Sequence, residues 1–201
     1  MEKKLYTVIV YSENIAGMLN QVTAEFTRRQ MNIETLNVSS SNVDGVHRYT
    51  ISLWTTEWLI QRVTKRLEKK VDILRAYYFT DNEIFIQEVA LYKLSTPRLL
   101  ENKQISKIIR HNNARVIEVN STYTVVEKTG KTDAVMSLYK EFVAEQCVMQ
   151  FVKSGRVAIT RDVSMNLSDH LFDEDAERKI KILRLSNDGE MVEKNFEAEV
   201  K

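Results

Sequence analysis

The sequence predicts an α+β protein built from two ferredoxin-like domains, residues 4–80 and 83–162, followed by a charged tail over 163–201. Three observations carry this. Residues 4–80 read as strand, helix, strand, strand, helix, strand, which is the split βαβ pattern. The same order then runs a second time over 83–162, so the unit is repeated whole. Beyond residue 162 the charge balance changes sign. Residues 163–201 hold six Lys/Arg against ten Asp/Glu, a net −4, and the remainder holds 23 against 18, a net +5.

The elements follow in order. Leu5–Tyr11, "LYTVIVY", is apolar, β-branched and aromatic, a strand by composition. Ile15, Met18, Leu19, Val22 and Phe26 recur at helical spacing, with Gln21, Glu25 and Arg29 off that stripe, so a helix is expected over roughly 15–29. Met31–Ser40 favours a strand through its β-branched content, Asp44-Gly45 marks a hairpin turn, and Val46–Trp54 is the next strand. Trp58, Ile60, Val63 and Leu67 mark a helix across 57–69, and Val71–Phe79 is a strand. In the repeat, Glu83–Leu94 is a strand. A helix after the only proline, Pro97, uses Leu99, Leu100, Ile105, Ile108 and Ile109. "ARVIEVNST" and "YTVVEKTG" form two strands that turn near Asn120-Ser121. A helix follows, with Ala134, Val135, Leu138, Phe142 and Val143 on one face. "CVMQFVKSGRVAIT" is a final strand, or a hairpin turning at Ser154-Gly155. Helices cover one face of each sheet, so the other face needs a partner, and a small unit of this kind is marginal alone. A homodimer is expected.

The totals exclude several classes. No run of about 18 apolar residues exists, so no transmembrane helix is expected. "MEKKLYTVIVYSEN" reads as a first strand and not as a signal peptide. One cysteine, Cys147, permits no internal disulfide and fits a reducing, cytoplasmic setting. A formal net charge of +1 gives no general case for nucleic acid.

Most motif-like strings dissolve on inspection. "TGKT" at Thr129–Thr132 lacks the earlier glycine of a phosphate loop, since Val125 stands there, and reads as a strand-to-helix turn. His47, His111 and His170 are scattered and no CxxC exists, so no metal site is expected. Cys147 reads as a small buried strand residue. Asp173–Glu177 reads as a solvated charge run. The aromatic string of RNA-binding ferredoxin-like sheets is missing, and packing explains Tyr77, Tyr78 and Phe79. No catalytic residue emerges.

One stretch carries more. "SENIAGMLNQV", Ser12 to Val22, joins the first strand to the first helix. Read plainly, Asn14 caps the helix and Gly17 allows close packing. Read functionally, backbone N–H groups and the Asn14 amide hold a small anion or zwitterion at the helix start. Asn32, in "RRQMNIETLNV", adds a second amide where the chain enters its next strand. Both segments could approach a neighbouring chain's edge, where two amides would hold an amino acid.

These residues resemble a known family. "VIVYSENIAGMLNQVTAEFTRRQMNIETLNV" is similar to the N-terminal ACT domain of acetolactate synthase small subunits, through Asn14, Gly17, Met18, Leu19, Arg28-Arg29 and "NIETL" from Asn32. "RVIEV", "VVEKTG" and "KSGRVAITR" resemble that family's second domain, and the likeness covers roughly 4–162. Gln30 stands where the family often has glycine, and "KSG" replaces "RTG" at Lys153–Gly155. The resemblance implies a regulatory subunit with no chemistry and no cofactor of its own. Thiamine diphosphate, magnesium and FAD would belong to a large catalytic partner, which this chain would activate and make sensitive to a branched-chain amino acid, usually valine. It also implies an effector site between two ACT domains, contacted by Asn14, Gly17, Met18 and Asn32 and shaped by Ile15, Ala16 and Leu19. The alternative is a stand-alone ACT module that senses an amino acid for another enzyme or a transcription complex.

Overall fold

A computed structural model describes residues 2–162. The tail 163–201, with His170 and Asp173–Glu177, lies outside the described residues. The chain forms two compact units. Of the described residues, 2–34, 38–83 and 160–162 belong to one, and 35–37 with 84–159 to the other.

The first unit runs β1 (Lys4–Glu13), α1 (Met18–Thr27), β2 (Thr35–Ser40), β3 (Val46–Thr55), α2 (Glu57–Leu67) and β4 (Ile73–Thr80). Its sheet has the order β2-β3-β1-β4, with β1 antiparallel to both neighbours. This is the predicted split βαβ arrangement. The central strand β1 is buried from Tyr6 to Ser12, and the run "YTVIVY" is apolar or β-branched almost throughout for that reason. Met18, Val22 and Phe26 of α1 and Ile60, Val63 and Leu67 of α2 fill the layer beneath the helices. Each such side chain contributes about 1.5–3 kcal/mol on leaving water.

The second unit continues with β5 (Ile84–Ser95), α3 (Thr96–Glu101), α4 (Lys103–His111), β6 (Arg115–Val119), β7 (Tyr123–Gly130), α5 (Thr132–Ala144), β8 (Val148–Lys153) and β9 (Val157–Thr160). The sheet order is β6-β7-β5-β8, and β9 also pairs with β5. The core gathers Tyr92, Leu94, Ile105, Ile108, Val126, Leu138 and Phe142. Burial along β5 alternates strictly from Ile84 to Tyr92, unlike β1. Its outward positions Phe85, Val89 and Leu91, with Val152 opposite Leu91, leave apolar surface open.

Several expectations need correction. The helix expected from residue 15 starts at Met18, because Gly17 takes a left-handed conformation at φ 87° and breaks the spiral there. Ile15 and Leu19 point outward, and Glu25 takes an inward position instead. The helix at Pro97 is two helices. Asn102 is extended between them and its side chain accepts from the Gln104 N–H at 2.9 Å, which caps α4 and ends α3. Leu100 is left exposed. The last segment is no hairpin. Lys153 pairs with Ala90 and the Arg161 N–H reaches the Glu83 carbonyl, so β9 continues along β5 in the direction of β8.

Gln30 occupies the left-handed region itself, at φ 54°, as do Asn113 and Gln146 after α4 and α5. All three helices end in the same way. The N–H of the residue after the left-handed position returns to the carbonyl five residues earlier, Met31 to Phe26, Ala114 to Ile109 and Cys147 to Phe142. A polar residue thus does the work of glycine in a chain with only five glycines, at a conformational cost of roughly 1 kcal/mol each.

Candidate functional site

The loop from β1 to α1 is anchored at its β1 end. The Glu13 N–H donates to the Asp72 carbonyl at 3.1 Å, and the Asn14 N–H to the Gly45 carbonyl at 2.9 Å. Asn14, Ile15, Ala16, Gly17 and Leu19 are exposed, and Met18 is buried beneath them. Asn14 does not cap the helix. The cap position is Gly17, which has no side-chain acceptor, so the N–H groups of Leu19 and Asn20 lack the partner that serine or aspartate would give. The loop therefore leaves exposed an amide side chain, two apolar side chains and a helix start with the positive end of its dipole.

Asn32 is not part of that surface within one chain. It precedes Glu34, whose N–H donates to the Ser52 carbonyl, and Ser52 pairs with Thr7 near the start of β1. Asn14 follows Glu13 at the end of β1, where Glu13 pairs with Val46. Six extended residues separate the two levels, roughly 20 Å. The sheet keeps Asn14 and Asn32 at opposite ends of the first unit.

Sequence reasoning missed two buried carboxylates. Glu25 is 2% exposed and meets Arg29 at 3.0 Å, Arg28 and Lys70 at 3.4 Å and Arg66 at 3.8 Å. Burial pushes its carboxyl pKa up. Hydrogen bonds from Arg29 and Lys70, with their charges, outweigh that and hold it below the usual carboxylate range. A pKa lowered by folding gives stability that is present above the unfolded value, near 4.5, and is lost as pH falls through the folded value. Glu25→Gln is expected to lower stability at neutral pH by about 1–3 kcal/mol and to flatten the fall below the unfolded pKa. Urea unfolding across pH checks both, and an unchanged acid limb would refute the assignment.

Glu88 is the second, with its side chain fully buried in the second unit. The Thr132 hydroxyl donates to Oε1 at 2.7 Å, Lys153 donates to Oε2 at 3.0 Å, and the buried Arg156 lies 3.5 Å from Oε1. Thr132 comes from "TGKT" and both cations from "KSGR". The one string that resembled a phosphate loop, "TGKT", supplies a partner to this carboxylate instead.

Cys147 is buried against the Phe142 carbonyl, and burial pushes its thiol up to about 11. No three His, Cys, Asp or Glu side chains among the described residues are grouped to hold a metal ion. No helix among them is long and apolar enough to cross a membrane.

Comparison with known proteins identifies the family and the fold. Residues 8–75 match the family described as AHAS small subunit-like ACT domain, and residues 87–162 match that described as small subunit of acetolactate synthase. The acetolactate synthase small subunit of Mycobacterium leprae is 30% identical over 159 residues, 78% of this chain and 91% of that one. That of Bacillus subtilis is 29% identical over 170 residues, 84% of this chain and 96% of that one. The crystal structure of the small subunit from Thermotoga maritima superposes with a TM-score of 0.72 at 21% identity, covering 79% of this chain and 98% of that one, which is a likeness of fold. The fold and the first match define the class: paired ferredoxin-like units headed by an ACT domain. The chain belongs to the acetolactate synthase small-subunit family.

Proposed function

We propose that this chain is the regulatory subunit of acetolactate synthase in branched-chain amino acid biosynthesis. As a small subunit it is the non-catalytic component of an enzyme complex. In this reading it forms a homodimer, binds the large catalytic subunit, raises its activity and carries feedback inhibition by a branched-chain amino acid, with valine the first candidate. Thiamine diphosphate, magnesium and FAD belong to that partner.

The observation that carries the reading is the match of both domains, in order, across residues 8–162. The exposed Asn14–Leu19 loop supports the effector part. Helix-start N–H groups would take the carboxylate, and the Asn14 amide would accept from the ammonium. Ile15 and Leu19 would lie along the branched side chain. The open apolar face at Phe85, Val89, Leu91 and Val152 supports association with another subunit, since surface of this kind marks interaction sites. Inhibition requires the effector to bind two states of the assembly unequally.

Reconstitution with the large subunit tests the reading. Acetolactate formation is expected to rise when this chain is added and to fall again with valine. A large subunit that neither binds this chain nor responds to it would favour the stand-alone amino-acid sensor instead.

A further inference from the structure

The first unit has a concave surface between its two helices, remote from the Asn14 loop. A cavity of about 550 Å³ is lined by Glu25, Arg28 and Arg29 of the α1 end, Arg62, Lys65 and Arg66 of α2, and Lys69 and Lys70 beyond it. Seven cations surround one carboxylate, an excess of six positive charges in one groove. Like charges gathered this closely repel, and the arrangement gains stability from any multivalent anion that enters.

The groove has a floor and a rim. Buried Glu25 holds Arg29 and Lys70, which are themselves only about a quarter exposed, and so fixes the floor. Arg28 and Arg66 are about two-thirds exposed on the rim. Arg62 is braced at 4.6 Å over the ring of Trp58. Every residue lining the cavity is charged. Sites for organic ligands are mostly apolar with a few polar groups, so this one is built to read charge and not a carbon skeleton. Guanidinium and ammonium groups on several sides suit phosphoryl oxygens.

We propose that this groove binds a compact polyanion carrying contiguous phosphoryl groups, independently of the effector loop. Sodium tripolyphosphate titrated calorimetrically into the full chain is the probe, with pyrophosphate, orthophosphate and a sugar bisphosphate as comparisons at matched ionic strength. Saturable binding at one site per chain is expected, in the order tripolyphosphate, pyrophosphate, orthophosphate. The exposed Lys65 and Lys69 carry no ion pair among the described residues, so the double variant Lys65→Gln, Lys69→Gln should fold normally and bind at least about tenfold more weakly. Bound tripolyphosphate should also shield Lys65, Lys69 and Lys70 from amine labelling. Asn14→Ala should leave this binding unchanged, which separates the proposal from the effector reading. No saturable binding, equal affinity in the double variant, or shielding elsewhere would overturn it. So would a tighter sugar bisphosphate, or a double variant whose one defect is assembly with an acidic protein partner.

Discussion

Chains carrying Asn14→Ala and chains carrying Asn32→Ala, each deficient in effector binding as pure dimers, should regain one working site per dimer when mixed. Within a chain the register of β1 and β3 sets the strand levels beside the two amides roughly 20 Å apart. A shared ligand then takes Asn14 from one protomer and Asn32 from the other. In a pure dimer of either variant both sites lose an amide, and affinity should drop about tenfold or more, the effect of one lost polar contact to a charged group. In the mixed dimer one site collects both losses and the other collects none. Titration of the mixed dimer with the inhibitory amino acid should give half the wild-type stoichiometry at wild-type affinity. Uniformly weak binding in the mixture would place both amides in one protomer's site.

Glu88→Ala should be among the most destabilising single changes in the second unit, at about 3–5 kcal/mol. Glu88 is fully buried, and its removal leaves the Arg156 cation, itself buried, without the carboxylate it faces. The Thr132 hydroxyl at the start of α5 loses its acceptor too. Glu127→Ala is the control. Its partner Arg115 is largely exposed, and such a pair contributes about 0–1 kcal/mol. Denaturant unfolding of the two variants separates the cases, and a Glu88→Ala cost below about 1 kcal/mol would show that the cluster adds little. Lys153 stands where the family more often has arginine, yet it reaches Glu88 at 3.0 Å. A monodentate cation suffices there because Arg156 and Thr132 share the other oxygen.

Much of this was legible in the chain itself. Strand and helix identities follow from local periods, and those survive folding because each element must turn an apolar face inward. The turns at Asp44-Gly45 and Asn120-Ser121 follow from side chains that satisfy nearby backbone groups: the Asn120 side chain accepts from the N–H groups of Thr122 and Tyr123. The repeat and the family likeness are likewise properties of residue order.

The tertiary structure decided where charge is buried and which residues meet. Glu25 looked like one more polar position on the outer side of a helix. It turns inward because Lys70 and Arg66, about forty residues away in sequence, arrive beside it. Glu88 gained its partners from residues 44 to 68 positions later. Residue spacing reports what lies within a turn or two, and a buried ion pair is settled by which elements pack together. The same limit hid the separation of Asn14 from Asn32. Eighteen residues of sequence gave no distance, and only the antiparallel pairing of β1 with β3 put the two amides at opposite ends of one sheet.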